Sequence, residues 1–497
     1  MAIRMTGMYS GLDTDSIIQE MVSARRTKVD SAKKAQTKLS WKQDAWKNLN
    51  TKLKNLQTKF LANMRFTTSY SKKVTKTSND SAVSVLTGEN AVNGVQELKV
   101  KHLAKTAYLT GAEIKSDSGE KLTALSKLTD INPEFKGGNI TATIGGETKV
   151  IDVAADATIS DVLTELKNLG LNASFDEKNQ RMFVSAKESG EAADFTLSGS
   201  GRALTALGLS VKNNGATKID GQDAEIELNN ATFKSSKNTF EINGLTITAL
   251  NTTKEDEVVT VTTEQDTDGI YDMVKNFLKE YNAVINEMDK LYNADAAKGY
   301  EPLTEEEKEA MSESEIEEWE KKVKDSLLRR DENLSNVMSG IREAIGGGIE
   351  VGGKTLYLHD FGINTLGYFN AADNEKHALH IDGDPDNEFT SGNADKLKSM
   401  IAGNPDTVIA FFSKLSQNVY DKMTDLSKSR DGYRSFGNFY DDKKMKTDYT
   451  DYTSKIQQLE KKLADYEDSW YAKFSKMETA LAKMQSNTNA VTSLLGG

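Results

Sequence analysis

Four histidines and no cysteine leave this chain few ways to assemble a metal or nucleophilic centre. His377 and His380 stand three apart, a spacing that puts two imidazoles on one helix face but on opposite faces of a strand. The run Ala378-Leu379-His380-Ile381-Asp382 reads equally as strand, which would separate them. Asp382, Asp384 and Asp386 repeat the first three carboxylate positions of a calcium-binding EF-hand loop. Asn387 stands where that loop needs glycine, Asn393 where it needs glutamate, and Pro385 interrupts it. Gly352-Gly353-Lys354-Thr355 imitates the end of a phosphate loop, but the motif's first glycine falls at Gly348, inside the run Gly346-Gly347-Gly348. No Gly-x-Ser-x-Gly nucleophile elbow occurs. The chain is assigned no catalytic residue, no metal ligand and no cofactor.

What the sequence does carry is apolar periodicity. Read in sevens from Ile456, the a positions are Ile456, Leu463, Trp470, Met477, Met484 and Val491. The d positions are Leu459, Tyr466, Lys473, Ala480, Asn487 and Leu494, a weaker row that drifts onto Phe474 and Leu481. Towards the other end, Leu39, Trp46, Leu53 and Phe60 fall seven apart, with Leu49 and Leu56 at the d spacing. Ahead of them Asp13, Thr14 and Asp15 supply cap-type residues before Ile17, Ile18, Met21 and Val22. A sevenfold repeat builds a seam that must face another helix, so the two ends are built to associate, with each other or with other chains. The large apolar a and d residues of both runs, with Ile18 and Leu481, form the expected assembly interface. Ordering a residue costs about 1.5 kcal/mol, and a buried a residue returns about 1.5–3 kcal/mol only against a partner. The terminal run is therefore expected to be mobile in a monomer and ordered in an assembly. Arg25–Lys38, nearly free of large apolar residues, is expected to be weakly ordered alone.

At 497 residues the chain exceeds one core and should divide into three or four domains. Its net charge of -12, 37% hydrophobic content and four prolines fit long exposed helices with small polar β domains, not a large α/β enzyme core. The missing cysteines suit a protein held by helix packing and exported without disulfide formation. No apolar run approaches the roughly 20 residues that span a bilayer, and the N-terminus lacks a signal-peptide h-region and cleavage site. Neither membrane insertion nor a cleaved signal peptide is expected. From Arg25 to Lys76 fifteen Lys or Arg face only Asp30 and Asp44, while Glu301 to Glu320 holds ten Glu and one Lys. With no aromatic interleaving or nucleic-acid motif, the basic run reads as a helix face steered onto acidic surface such as Glu305–Glu320, not as a nucleic-acid site.

From Ser81 the period changes to two. Val83 with Val85, and Leu98 with Val100, alternate as strands do. Gly145-Gly146 and Asn243-Gly244 each sit between alternating runs as hairpin turns. Ser160 is placed as the cap of a short helix closed by Gly170, and the surrounding strands make a self-contained ββαββ unit. From Ile270 to Met288 a single apolar stripe predicts a core helix, and Thr304/Glu307 and Ser312/Glu315 predict capping boxes.

Ser10-Gly11-Leu12-Asp13-Thr14-Asp15-Ser16-Ile17-Ile18, the basic helix through Trp46 to Leu56, the acidic block from Leu303 to Leu328, Phe361-Gly362-Ile363 and the terminal coiled coil resemble the bacterial flagellar filament-capping family, hook-associated protein 2. Asn139–Leu197 resembles the repeat module inserted in many flagellar axial proteins. The resemblance implies an α+β multidomain chain, with long terminal coiled-coil helices and a helical bundle flanking two nested β-rich domains. Its expected domains are a terminal leg (1–40 and 455–497), a bundle (41–77 and 270–454), and two plate domains (78–107 with 216–269, and 108–215). It further implies an extracellular homo-oligomeric ring at the filament tip that retains exported flagellin and promotes its folding. Its expected partners are flagellin, hook–filament junction proteins and an export chaperone. A secreted adhesin binding host glycans, or another axial protein such as a junction protein or flagellin, are the alternative readings.

Overall fold

The computed structural model describes residues 9–212, 215–367 and 369–495. Helices come from both ends of the chain and strands are concentrated between them, an α+β arrangement. Two compact units form, Met1–Tyr70 with Thr267–Gly497, and Ser71–Asp266.

Helix α1 (Thr14–Asn55) begins where Asp13 accepts the Ser16 amide at 3.1 Å. It runs unbroken through residues 25–38, contrary to the weak order that their composition suggests. The reason is local: Val29 and Ala32 are buried, and the Gln36 amide donates to Thr453 Oγ1 at 2.7 Å. Nor does residue 40, an expected domain edge, interrupt the helix. At Leu56–Leu61 the backbone widens into a π-helical turn before α2 (Ala62–Met64). The extra residue in that turn shifts the apolar row by one position. Leu61 is fully buried, whereas Phe60, which the sevenfold spacing places in the seam, is only half-buried.

The second unit opens with β1 (Lys73–Thr77), β2 (Val83–Thr87), β3 (Gly94–His102), β4 (Thr106–Thr110) and a short helix α3 (Leu128–Ile131). It continues through β5 (Gly138–Ile144), β6 (Glu147–Val153), α4 (Ile159–Asn168), β7 (Asn172–Asp176) and β8 (Arg181–Ser189). After β9 (Phe195–Gly199) and α5 (Ala203–Ala206) come β10 (Thr217–Ile219), β11 (Ala224–Leu228) and β12 (Ala231–Ser235). The hairpin of β13 (Thr239–Ile242) and β14 (Leu245–Ala249), then β15 (Val259–Gln265), complete it.

Sheet β1-β15-β3-β11-β12 and sheet β13-β14-β2 enclose one apolar core, including Val83, Leu98, Val100, Phe240, Ile247 and Val261. Sheets β10-β4-β8-β7 and β6-β5-β9 enclose a second core with α4, including Leu109, Ile140, Val162, Leu166, Val184 and Phe195. The ββαββ segment is therefore not self-contained. Its two hairpins join different sheets, which β4, β9 and β10 complete. Its helix starts two residues earlier than the sequence suggests: Thr158, not Ser160, is the cap, because Thr158 and Asp161 exchange hydrogen bonds as a capping box. Asn243 and Gly244 adopt φ of 49° and 79°, the left-handed pair that a tight hairpin turn needs.

The chain re-enters the first unit in α6 (Thr267–Tyr292), followed by α7 (Glu305–Glu309), α8 (Glu313–Asp325) and α9 (Glu332–Gly346). Two small hairpins, β16 (Ile349–Val351) with β17 (Lys354–Leu356) and β18 (Ile363–Asn364) with β19 (His380–Ile381), precede α10 (Lys396–Gly403) and α11 (Pro405–Leu426). Helix α12 (Asp442–Leu495) then runs without a break past residue 455, the other expected edge. The α6 stripe packs as its period predicts: Val274, Phe277, Ile285 and Met288 are buried with Leu53, Val337, Phe411 and Phe412 in one core.

Candidate functional site

Two helices from opposite ends of the sequence lie side by side. Contacts fall in descending order along α12, Ser10 with Glu478, Arg25 with Tyr466, Lys33 with Glu460 and Gln36 with Thr453, and just ahead of that helix Trp46 meets Tyr440. The pair is antiparallel. Thr14, Ile18, Val22, Val29 and Ala32 form the buried face of α1 over this stretch. Opposite them Ile456 is buried, while Leu459, Leu463, Tyr466, Trp470, Met477 and Leu481 are half-buried. The terminal seam thus finds a partner in its own chain over much of its length. Beyond it Met484 is 65% exposed and Val491 53% exposed, and the side chain of Leu494 lies outside the described residues.

Contrary to the expectation from spacing, the row from Leu39 to Phe60 does not meet the terminal seam. Trp46, Leu49, Leu53 and Leu56 are fully buried in the bundle core, and Leu39 and Phe60 pack at its edge. Trp46 stacks on Tyr440 with ring centroids 5.4 Å apart. The seam's partner is the stretch from Ile18 to Ala32, visible in the sequence only as a sparse row of small apolar residues.

Polar contacts fix the register of the pair. Glu478, 1% exposed, accepts hydrogen bonds from the Tyr9 amide at 2.9 Å, the Ser10 amide at 3.3 Å and the Ser10 hydroxyl. The Ser10 hydroxyl, then the Tyr9 amide, hold its carboxyl below the usual glutamate range. Arg25 lies 4.0 Å over the Tyr466 ring, at the head of an aromatic ladder through Trp470 and Phe474 with steps of 6.1 and 6.3 Å. Asn50, buried at the base, donates to Asn438 Oδ1 at 3.1 Å and accepts the Phe439 amide at 2.9 Å. The basic run is answered from within the chain, by Lys33–Glu460 at 2.6 Å, Lys34–Glu307 at 2.7 Å, Lys42–Asp331 at 2.7 Å and Lys52–Glu287. Sequence reasoning missed Glu478 and Arg25, since a lone charge in a heptad gives no sign of what it faces.

The chemistry-bearing residues are occupied structurally. His377 faces Asp289 at 4.0 Å, and His380, on β19, meets the Asn387 amide at 2.7 Å. Asp384 and Asp386 each accept the Lys275 ammonium at 2.6 Å, and Asp382 accepts the Asn364 and Asn393 amides. Gly352 and Gly353 form the β16–β17 turn. Among the described residues no group of three or more His, Cys, Asp or Glu is placed to hold a metal, and no helix is long and apolar enough to cross a membrane.

Residues 221–486 match the profile described as the flagellar hook-associated protein 2 C-terminus, and residues 10–107 match its N-terminus. The chain belongs to the flagellar hook-associated protein 2 family. The protein of that name from Halalkalibacterium halodurans is 24% identical over 537 aligned residues, covering 98% of each chain. That of Thermotoga maritima is 26% identical over 71% of this chain and 55% of its own length. The solved D1-D2-D3 domains of the Escherichia coli flagellar cap protein FliD are similar at 20% identity and a TM-score of 0.47, covering 76% of this chain and 95% of that one. Family membership favours the capping reading over the adhesin, junction-protein and flagellin alternatives.

Proposed function

We propose that this chain is the structural cap of a bacterial flagellar filament. Copies of it form a ring at the extracellular tip that retains exported flagellin and promotes its folding and insertion. The observation that carries the reading is the family match across both ends of the chain, joined to a helix pair that still offers half-covered apolar side chains. The paired ends serve as legs, with residues 1–40 and 455–497 as their span. The β-rich insert supplies two plate domains, 78–107 with 216–269 and 108–215. Flagellin, hook–filament junction proteins and an export chaperone are the partners of this reading, and export proceeds through the flagellar type III apparatus. The function is structural, with no reaction assigned.

The test is the double substitution Leu463→Asp with Met477→Asp. Both positions lie on the half-buried seam and outside the second unit. The β-rich unit should stay folded while filament elongation stops, scored by filament length on cells carrying the variant in place of the wild type. Normal elongation with the double variant sinks the proposal.

A further inference from the structure

Helices α7 and α8 add little to the apolar core. Of residues 304–325 only Val323 is buried. Helices with so little apolar burial must be held by other forces. Trp319 packs on the Tyr300 ring at 4.6 Å and donates to the Glu301 carbonyl at 2.8 Å, and ion pairs supply the rest. Lys308 of α7 reaches Glu320 of α8 at 3.6 Å and ties the two helices together, while Lys308–Glu305 at 3.2 Å lies within α7 and Lys324–Glu320 at 2.9 Å within α8. Two further contacts reach across to α1. Glu307 Oε1 accepts Lys34 at 2.7 Å, and the Lys324 ammonium lies 4.5 Å from the centre of the Trp41 ring. Glu307 serves both ends of this link. Its Oε2 accepts the Thr304 amide at 2.7 Å, closing the capping box that starts α7.

The place of that contact matters mechanically. Leu39 packs at the edge of the bundle core and Lys42 pairs with Asp331 at 2.7 Å, so the helix pair beyond Leu39 is a rod anchored at one end. From Leu39 to Asp13 the free length is roughly 39 Å, and from Lys34 it is roughly 32 Å. The compliance of such a rod grows as the cube of its free length, so a prop at Lys34 stiffens it about twofold and narrows its thermal swing by a factor of about 1.4.

We propose that the α7–α8 hairpin is an electrostatic brace on the paired terminal helices, closed through Lys34 and Trp41, and released when competing charge takes Lys34. The brace lets one leg alternate between a stiff and a compliant state without unfolding. This inference rests on the reading of those helices as legs.

The experiment uses the full chain, whose lack of cysteine permits clean labelling at Ser23→Cys on α1 and Ser339→Cys on α9. Both sites are exposed. Pulsed dipolar spectroscopy then reads the width of the distance distribution between them. Lys34→Glu should widen it by a factor of about 1.4 with the far-UV helical signal retained, and Lys34→Arg should leave it unchanged. Raising ionic strength from about 0.05 to 0.5 M should widen the wild-type distribution towards that of Lys34→Glu. An unchanged width in Lys34→Glu, or equal widening by Lys34→Arg, overturns the brace. Neither result touches the capping reading, which stands or falls on the elongation assay.

Discussion

Leu61→Ala and Phe60→Ala place the π-helical turn under direct test. The sevenfold spacing puts Phe60 in the core row, whereas the structure buries Leu61 completely and leaves Phe60 half-exposed at the edge. Truncating a fully buried leucine removes its transfer free energy and leaves a cavity, so Leu61→Ala should cost about 2–5 kcal/mol. Phe60 keeps much of its ring near water in the folded chain, and Phe60→Ala should cost less than about 2 kcal/mol. The assay is built into the composition. All four tryptophans, Trp41, Trp46, Trp319 and Trp470, belong to the first unit, so tryptophan fluorescence in a urea titration reports that unit alone. A leftward shift of the midpoint that is larger for Leu61→Ala than for Phe60→Ala agrees with the widened turn. The reverse order would mean that the helix continues in plain α register through residue 61, and the argument for the phase shift would be refuted.

Gly244→Ala puts a Cβ against the Ala91 amide nitrogen at a residue with φ of 79°, so it should cost on the order of 1–3 kcal/mol. Faster amide exchange across residues 239–249 reports it, and unchanged protection there contradicts the turn assignment. Burial holds the Asp289 carboxyl above the usual aspartate range, with His377 and then Arg342 partly offsetting it. The folded chain therefore binds that proton more tightly than the unfolded chain does, and stability is lost as pH rises from the unfolded towards the folded pKa. Asp289→Asn should raise the urea midpoint near pH 7 and change it little near pH 3, where both forms are neutral. A lower midpoint near pH 7 would show that the His377 contact outweighs the burial.

Several elements were legible from residue order alone because their signal is local. The Asn243-Gly244 turn, the Thr304 and Ser312 capping boxes and the α6 stripe each depend on residues within a turn or two of one another. What escaped depends on partners far along the chain. Alternation shows which face of β5 and β8 is inward but not that the two strands belong to different sheets. The heptads show that Trp46 and Ile456 each need a partner, but not that the first stacks on Tyr440 in the bundle core while the second, on α12, lies along α1. Small residues such as Ala32 look neutral in a hydrophobic count, and they become interface residues only because a larger side chain lies opposite. Lys275 gives no hint that it neutralises Asp384 and Asp386 more than a hundred positions away. The role of Glu478 is equally remote, since its hydrogen-bonding partners are at the start of the sequence.

The strands that open and close the β-rich insert are neighbours: Lys73 pairs with Gln265, and the Asp266 amide donates to the Lys72 carbonyl at 3.0 Å. A segment that leaves and returns through one doorway imposes almost no spacing requirement on its host. Its length and content are free to change, by duplication, loss or replacement, while the flanking helices keep the same ends to join. Variation among relatives in the middle of the chain is thus mechanically cheap, and variation at the two helical ends is not.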